Sequence, residues 1–219
     1  FFLSKNLLLK IYIKMAITLD QEVLKKGLRH LKIKDPDLKV IIRDLKGDIP
    51  FFKRDSNFRG LVNLIIEQQL SVASARAIFN RLNNILDSFT PKNFLKLNEE
   101  SLQKIGLSRQ KVLYCITLAN ACCSGEMDFS AIKKMSNEDA IQYLTKLKGI
   151  GNWTAQCYLL GALGRRDAWP SSDLGLQIAI QRIKGLDKKP NVLTTEQIAE
   201  PWRPYRGVAA LVLWSTYDV

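Results

Sequence analysis

Histidine is nearly missing from this chain of 219 residues, where His30 is the only one. A Ser-His or Cys-His catalytic arrangement would have to use that single ring, and a zinc site built on histidine has too few of them. Cysteine is also sparse. Cys115, Cys122, Cys123 and Cys157 show no paired CxxC spacing. Cys115 and Cys157 fall among apolar residues of predicted helices, so they read as buried thiols in a reducing compartment, and no disulfide is expected. No continuous apolar stretch is long enough to cross a bilayer. No apolar core followed by a small-residue cleavage site marks a signal peptide, and neither a low-complexity linker nor an internal repeat is present. Alternation with a period of two, the mark of a half-buried strand, is missing too.

Positive charge is in excess. Lys+Arg number 33 against 21 Asp+Glu, a formal +12, with a pI near 9.6. This balance suits a polyanionic partner, although a solvated lysine-rich surface would give the same count. The first methionine is Met15, preceded by FFLSKNLLLKIYIK. Residues 1 to 14 therefore read as an N-terminal extension, with an amphipathic docking segment as the rival reading.

Helical spacing fills most of the remainder. Thr18 with Gln21 makes a capping-box signal ahead of Leu24, Leu28 and Leu31. Asp35-Pro36 opens a second helix with Leu38, Ile41, Ile42 and Leu45 on one face. A helix from Phe58 meets the polar cluster Glu67-Gln68-Gln69, read as a loop, and a new helix starts at Ser71. Thr90-Pro91 and Asn98-Glu99 open two short helices, and Ser108 caps a longer one. Ser136 with Asp139 leads into a helix that stops at LKGIGNWTAQ, residues 147 to 156. Beyond it come a helix to about Gly164, one from about Asp173 to Lys184 closed by Gly185, and a last one with Pro204 at its first position. The fold expected is all-α.

The Gly149-Ile150-Gly151 turn has a reason to exist beyond joining two helices. Glycine allows positive φ and lets the main chain approach a ligand, and the N–H groups at a helix start attract a phosphate oxygen. Lys146 and Lys148 flank the turn, and Thr154 offers a hydroxyl just after it. A plain corner between two helices would use the same glycines. Asp173, read alone, is a helix-start carboxylate favoured by the helix dipole, and Trp153 and Trp214, read alone, are core aromatics.

Five blocks, taken in order, resemble the helix-hairpin-helix superfamily of DNA glycosylases, and within it the DNA-3-methyladenine glycosylase II type. They are IIEQQLSVASARAIFNRL, IGLSRQKVLYCITLAN, LKGIGNWTAQ, WPSSDLGLQ and WRPYRGVAALVLW, which span the chain from about residue 20 to its end. The resemblance implies a two-lobed helical fold with the active site in the cleft between lobes. Residues 15–60 plus 166–219 would form one lobe, and residues 61–165, with the hairpin at about 140–163, the other.

The same resemblance implies roles for named residues. Asp173 falls at the catalytic aspartate. Lys148, Gly149, Ile150, Gly151 and Thr154 would grip the DNA backbone, and Gln68, Gln69 and Leu70 would form the loop that fills the gap left by an extruded base, with polar loop filler as the alternative. Trp153 and Trp214 match pocket aromatics. Tyr158 is one position away from where relatives carry a further aromatic, and Cys157 occupies that place. Main-chain carbonyls of Thr145, Leu147 and Ile150 would hold a monovalent cation in the DNA complex. Arg76, Lys111, Arg165, Arg166, Arg203 and Arg206 are candidates for phosphate contacts.

Relatives that also cut the backbone use a lysine two residues after the second hairpin glycine, where this chain has Trp153. That implies a monofunctional enzyme leaving an abasic site. No cysteine lies beyond residue 157, so the iron-sulfur loop of endonuclease III-like relatives is not expected, nor is any cofactor. The expected partner is double-stranded DNA with alkylated bases, met by a monomer without membrane contact, in the bacterial cytoplasm or the eukaryotic nucleus. A non-catalytic DNA-holding module and a lyase using Lys146 or Lys148 remain the alternatives.

Overall fold

The computed structural model describes residues 19–45, 49 and 51–216. Thirteen α-helices and no β-strand occur among them. In chain order these are α1 Gln21–Lys34, α2 Pro36–Asp44, α3 Phe58–Glu67, α4 Val72–Asn84, α5 Pro91–Phe94, α6 Glu99–Lys104, α7 Arg109–Ser124, α8 Phe129–Lys134, α9 Asn137–Thr145, α10 Asn152–Gly161, α11 Leu174–Ile183, α12 Val192–Ala199 and α13 Arg206–Trp214.

Most helix starts carry a side-chain oxygen that accepts from an otherwise orphaned N–H. Ser71, Thr90, Asn98, Ser108 and Ser136 do so for α4, α5, α6, α7 and α9. At α1 the cap is Asp20, whose Oδ1 accepts from Val23 N at 2.7 Å. The cap expected at Thr18 and the extension at residues 1 to 14 lie outside the described residues. Asp35 caps α2 and also accepts from Lys184 Nζ and Trp202 Nε1 at 2.7 and 2.8 Å, tying the start of α2 to the far end of the chain.

Two helices and two boundaries differ from the sequence reading. Helices α8 and α12 were not anticipated: the first is only 6 residues long, too short to show a period, and the second, 8 residues, is rich in β-branched positions. Pro204 does not open the last helix. A turn bond from Tyr205 N to Trp202 O holds that stretch apart, and α13 begins at Arg206. Helix α10 stops at Gly161, with Gly164 already left-handed at φ 63°.

Helix α3 is the centre of one group. It packs against α4, α7 and α10, while α7 also meets α5 and α6, and α9 meets α10. Leu61, Val62, Leu64, Ile65 and Ile66 are all 0% exposed, so α3 is apolar nearly all round, as a helix enclosed by others must be. Each such side chain withdrawn from water contributes about 1.5–3 kcal/mol. In the second group α1, α2 and α11 pack against α13, and α1 packs against α2. Buried residues of both groups form one contiguous core.

Candidate active site

Helix α9, the glycine turn and α10 form a helical hairpin in which the two glycines answer different demands. Gly149 has φ 96°, and a Cβ there would lie 2.2 Å from Cγ of Tyr114, so the fold itself requires glycine. Gly151 has φ −92° and is the N-cap of α10 without a side-chain capping bond. A Cβ on Gly151 would meet nothing within 4 Å. Nothing inside the protein therefore asks for glycine at 151, and the first N–H groups of α10 stay uncovered on that side. An anion could approach them directly.

Around this turn the named residues divide. Ile150 is 3% exposed and Leu147 8%, so both side chains lock the hairpin from within. Lys146 and Lys148 are exposed. Thr154, however, is only 1% exposed, and its hydroxyl accepts from Gln68 Nε2 at 2.9 Å. The expectation that it faces a phosphate is thus corrected, because its position in α10 turns it toward α3. Gln68 Nε2 donates equally to Gly149 O, at 2.9 Å, and so fastens the loop after α3 to the hairpin turn. Lys111 is corrected as well. Its ammonium donates to Ile66 O and Gln68 O, each at 2.7 Å, and burial lowers its pKa, so it closes the carbonyl end of α3 instead of pointing at DNA. Gln69 then adopts φ 54°, unusual for a residue with a side chain, and Leu70 beside it is exposed. Positive φ at a residue with a side chain, in an exposed loop, is met more often at functional sites than elsewhere.

Asp173 caps α11 and is half-buried. Its Oδ1 accepts from Leu176 N at 2.9 Å and from Trp214 Nε1 at 3.0 Å, and its Oδ2 accepts from Trp153 Nε1 at 2.8 Å. Three N–H donors from three helices fix the plane of this carboxylate, and charge-assisted bonds of this kind are the stronger ones. Trp153 lies two residues after Gly151. The indole that holds the carboxylate therefore springs from the first turn of α10, directly behind the uncovered helix start.

The remaining pocket and phosphate candidates are placed differently from expectation. Tyr158 is fully buried with its ring 6.1 Å from that of Phe129, on the side of α10 turned away from Asp173, because neighbouring helix positions diverge by about 100°. Burial raises its pKa, as does nearby Cys122. Its hydroxyl is buried without a hydrogen-bond partner. Tyr158→Phe is expected to leave base release unchanged and to raise stability by up to about 1 kcal/mol, since it deletes an unsatisfied polar atom; thermal denaturation and an excision assay check this, and a large loss of excision would return Tyr158 to the pocket. Cys157, 1% exposed, lies on the Asp173 side. Burial pushes its thiol pKa well up, helped by the charges of Asp173 and Glu67.

Arg165 and Arg206 are internal struts. Arg165 donates to the carbonyls of Ile132, Lys133 and Met135 at the end of α8. Arg206, 8% exposed, pairs with Asp167 and Glu196, and Arg203 pairs with Asp167 and Glu200. Arg166 lies over the Tyr205 ring at 4.9 Å. Among Arg76, Lys111, Arg165, Arg166, Arg203 and Arg206, only Arg76 is exposed without an ion pair among the described residues, and Lys148 beside the hairpin is exposed likewise.

Comparisons with known proteins agree on one lineage. The model described as HhH-GPD superfamily base excision DNA repair protein matches residues 62–204. The alkylbase DNA glycosidase-like protein mag2 of Schizosaccharomyces pombe is 33% identical over 162 residues, covering 72% of this chain and 76% of that protein. DNA-3-methyladenine glycosylase 1 of the same organism is 29% identical over 193 residues, 85% of each. Among solved structures, the Schizosaccharomyces pombe 3-methyladenine DNA glycosylase Mag1 in complex with abasic DNA superposes with a TM-score of 0.82 at 29% identity, over 89% of this chain and 100% of that one.

Proposed function

The chain belongs to the HhH-GPD superfamily of base excision DNA repair proteins, and from that premise we propose that it extrudes alkylated purines from duplex DNA and hydrolyses their N-glycosidic bond, leaving an abasic site. The observation that carries this reading is the Asp173 carboxylate, held by three N–H donors, one of them from the first turn of the helix whose start is uncovered.

A base alkylated on a ring nitrogen can be cationic, which makes it a good leaving group. The demand then falls on the sugar. As the C1′–N bond lengthens the electron pair leaves with the base, and C1′ becomes oxocarbenium-like. Asp173 offers a negative charge to that centre and an acceptor for the proton of the attacking water, whose oxygen forms the new bond to C1′. A cationic base over the face of Trp153 or Trp214 gains about 0.5–2 kcal/mol. The N–H groups at Gly151 and beyond, with Lys148, serve as the phosphate grip. Gln69 and Leu70, at the tip of the loop, serve as the element that enters the duplex.

Carbonyls of Thr145, Leu147 and Ile150 suit a hard monovalent cation, since α9 ends at Thr145 and leaves helix-terminal carbonyls there. Leu147 O already accepts from Ile150 N at 3.1 Å, which leaves it a second lone pair. A cation there would neutralise charge between the hairpin and a phosphate. The two helix groups are read as two lobes, 15–60 plus 166–219 and 61–165, acting as a monomer in the cytoplasm of a bacterium or the nucleus of a eukaryote.

Chromatography of bases freed from alkylated genomic DNA tests the reading. Methylated purines above the enzyme-free level, with the backbone intact, are expected. Duplex binding without base release would instead make the chain a DNA-holding module, and a borohydride-trapped adduct on abasic DNA would make it a lyase.

A further inference from the structure

The segment 51–57 leads into α3 and carries two side chains that no sequence pattern singled out. Arg54 N donates to Gly161 O at 2.9 Å, which pins the segment across the end of α10. Gly161 leaves the room: a Cβ there would lie 2.6 Å from Phe52 Cδ1. The Phe52 ring is tilted against Trp214, centroids 5.1 Å apart, and the Arg54 guanidinium lies 4.0 Å from the Phe52 centroid. Glu67, the last residue of α3, grips Arg54 with Oε1 at 2.6 Å from Nη2, both side chains being about four-fifths enclosed at 20% and 21% exposure. Trp214 in turn donates to Asp173 Oδ1 at 3.0 Å.

These contacts run without a break from Glu67 to Asp173. Trp153, Cys157 and Gly161 fall at i, i+4 and i+8, one face of α10. Trp153 bonds Asp173 at one end of that face and Gly161 O accepts from Arg54 N at the other, so both ends of the series meet it, with the buried Cys157 thiol midway. An exposed ion pair of this kind would hold little. This one is mostly shielded and stacked on the ring that supports Trp214.

On the glycosylase reading given above, we infer that Arg54, held by Glu67, is a positioning residue for the excision reaction: it presses Phe52 against Trp214 and so fixes the indole N–H that aims the Asp173 carboxylate. The reacting groups themselves are untouched by Arg54, so its removal acts on the rate of base release and not on the grip on DNA.

The test is a double-mutant cycle read by single-turnover release of methylated purines from dimethyl sulfate-treated DNA, alongside affinity for an abasic duplex. Arg54→Met still packs on Phe52 but loses Glu67. Trp214→Phe keeps a ring against Phe52 and deletes the N–H to Asp173. Each single change is expected to slow release about tenfold, and the pair to be about as slow as either alone because both act through one hydrogen bond, with abasic-duplex affinity within about twofold of wild type. A wild-type rate for Arg54→Met, a roughly hundredfold loss in the pair, or a loss of affinity that matches the loss of rate overturns the inference. Should Arg54→Met melt too low to assay, Glu67→Gln takes its place in the cycle, keeping a neutral acceptor for Arg54. It is then expected to slow release about threefold alone and to add nothing to Trp214→Phe, and a wild-type rate overturns the inference. A wild type that frees no methylpurine overturns this inference together with the reaction it rests on, whereas an active wild type with an unaffected Arg54→Met overturns this inference alone.

Discussion

Asp173→Asn is expected to lower base release at least about a thousandfold while leaving affinity for an abasic duplex within about twofold of wild type. The reasoning starts from the three donors. An asparagine can keep an oxygen toward Leu176 N and Trp214 Nε1, which now bond Oδ1. Its NH2 would then face Trp153 Nε1, a donor against a donor where the carboxylate accepts at 2.8 Å. One bond is lost at the start of α11, and a modest stability cost of about 1–2 kcal/mol is expected with it. The phosphate grip proposed at Gly151 belongs to another helix start and is expected to be unaffected. On the proposed mechanism, what disappears is the charge near C1′ and the acceptor for the water proton, neither of which an amide replaces. Single-turnover release and a binding titration on the same preparation give the two numbers, and an equal fall in both would show that Asp173 holds the DNA instead of acting on the sugar.

Gly149→Ala and Gly151→Ala should fail in opposite ways, although the sequence writes the two glycines as a symmetrical pair. At Gly149 an alanine needs φ near 96° and puts its methyl inside the Tyr114 ring, with Cγ at 2.2 Å. Backbone strain of about 1–3 kcal/mol adds to overpacking of about the same size, and the hairpin turn moves, taking Gly149 O away from Gln68 Nε2. Low thermal stability and lost activity are expected together. At Gly151 the φ of −92° suits alanine, and the added methyl enters open space. Its melting temperature should match wild type to within about a degree or two. The methyl would stand between a phosphate and the N–H groups of α10, so affinity for duplex DNA should fall about tenfold. A Gly151→Ala variant that binds DNA as wild type would remove the helix start from the phosphate grip.

Many helix starts could be read locally because a cap is a short-range event. Ser71, Ser108 and Ser136 each bond an N–H three residues on, and Asp173 does the same for Leu176. The glycine turn was legible as a break between two helices for a similar reason, although a plain corner would use the same glycines. The direction in which a helix turns its side chains was harder. Thr154 and Tyr158 stand in the right helix, yet one faces Gln68 and the other Phe129, because α3 and the core beyond it take those faces. The cationic candidates misled for a related reason. Arg165 bonds carbonyls 30 to 33 residues earlier in the chain, and a sequence pattern does not reveal which arginine a neighbouring helix end will claim. Phe52 and Arg54 gave no signal at all, and Glu67 was read only as part of a polar loop although it ends α3, because the three meet only after the segment at 51–57 has crossed the end of α10.

By itself the sequence determined the helical fold, a glycine turn between two helices and Asp173 as a helix-start carboxylate, since caps, turns and a 3.6-residue period all act within a few residues of chain; the roles of turn and carboxylate were what the resemblance implied. Tertiary structure decided which polar groups remain available for DNA. The bond joining Gln68 to Gly149 spans 81 positions, that joining Trp214 to Asp173 spans 41, and that joining Trp202 to Asp35 spans 167. Partners so distant in the chain come together only when apolar faces pack and bring their polar edges along, and burial then favours the arrangement in which most of those polar groups are paired.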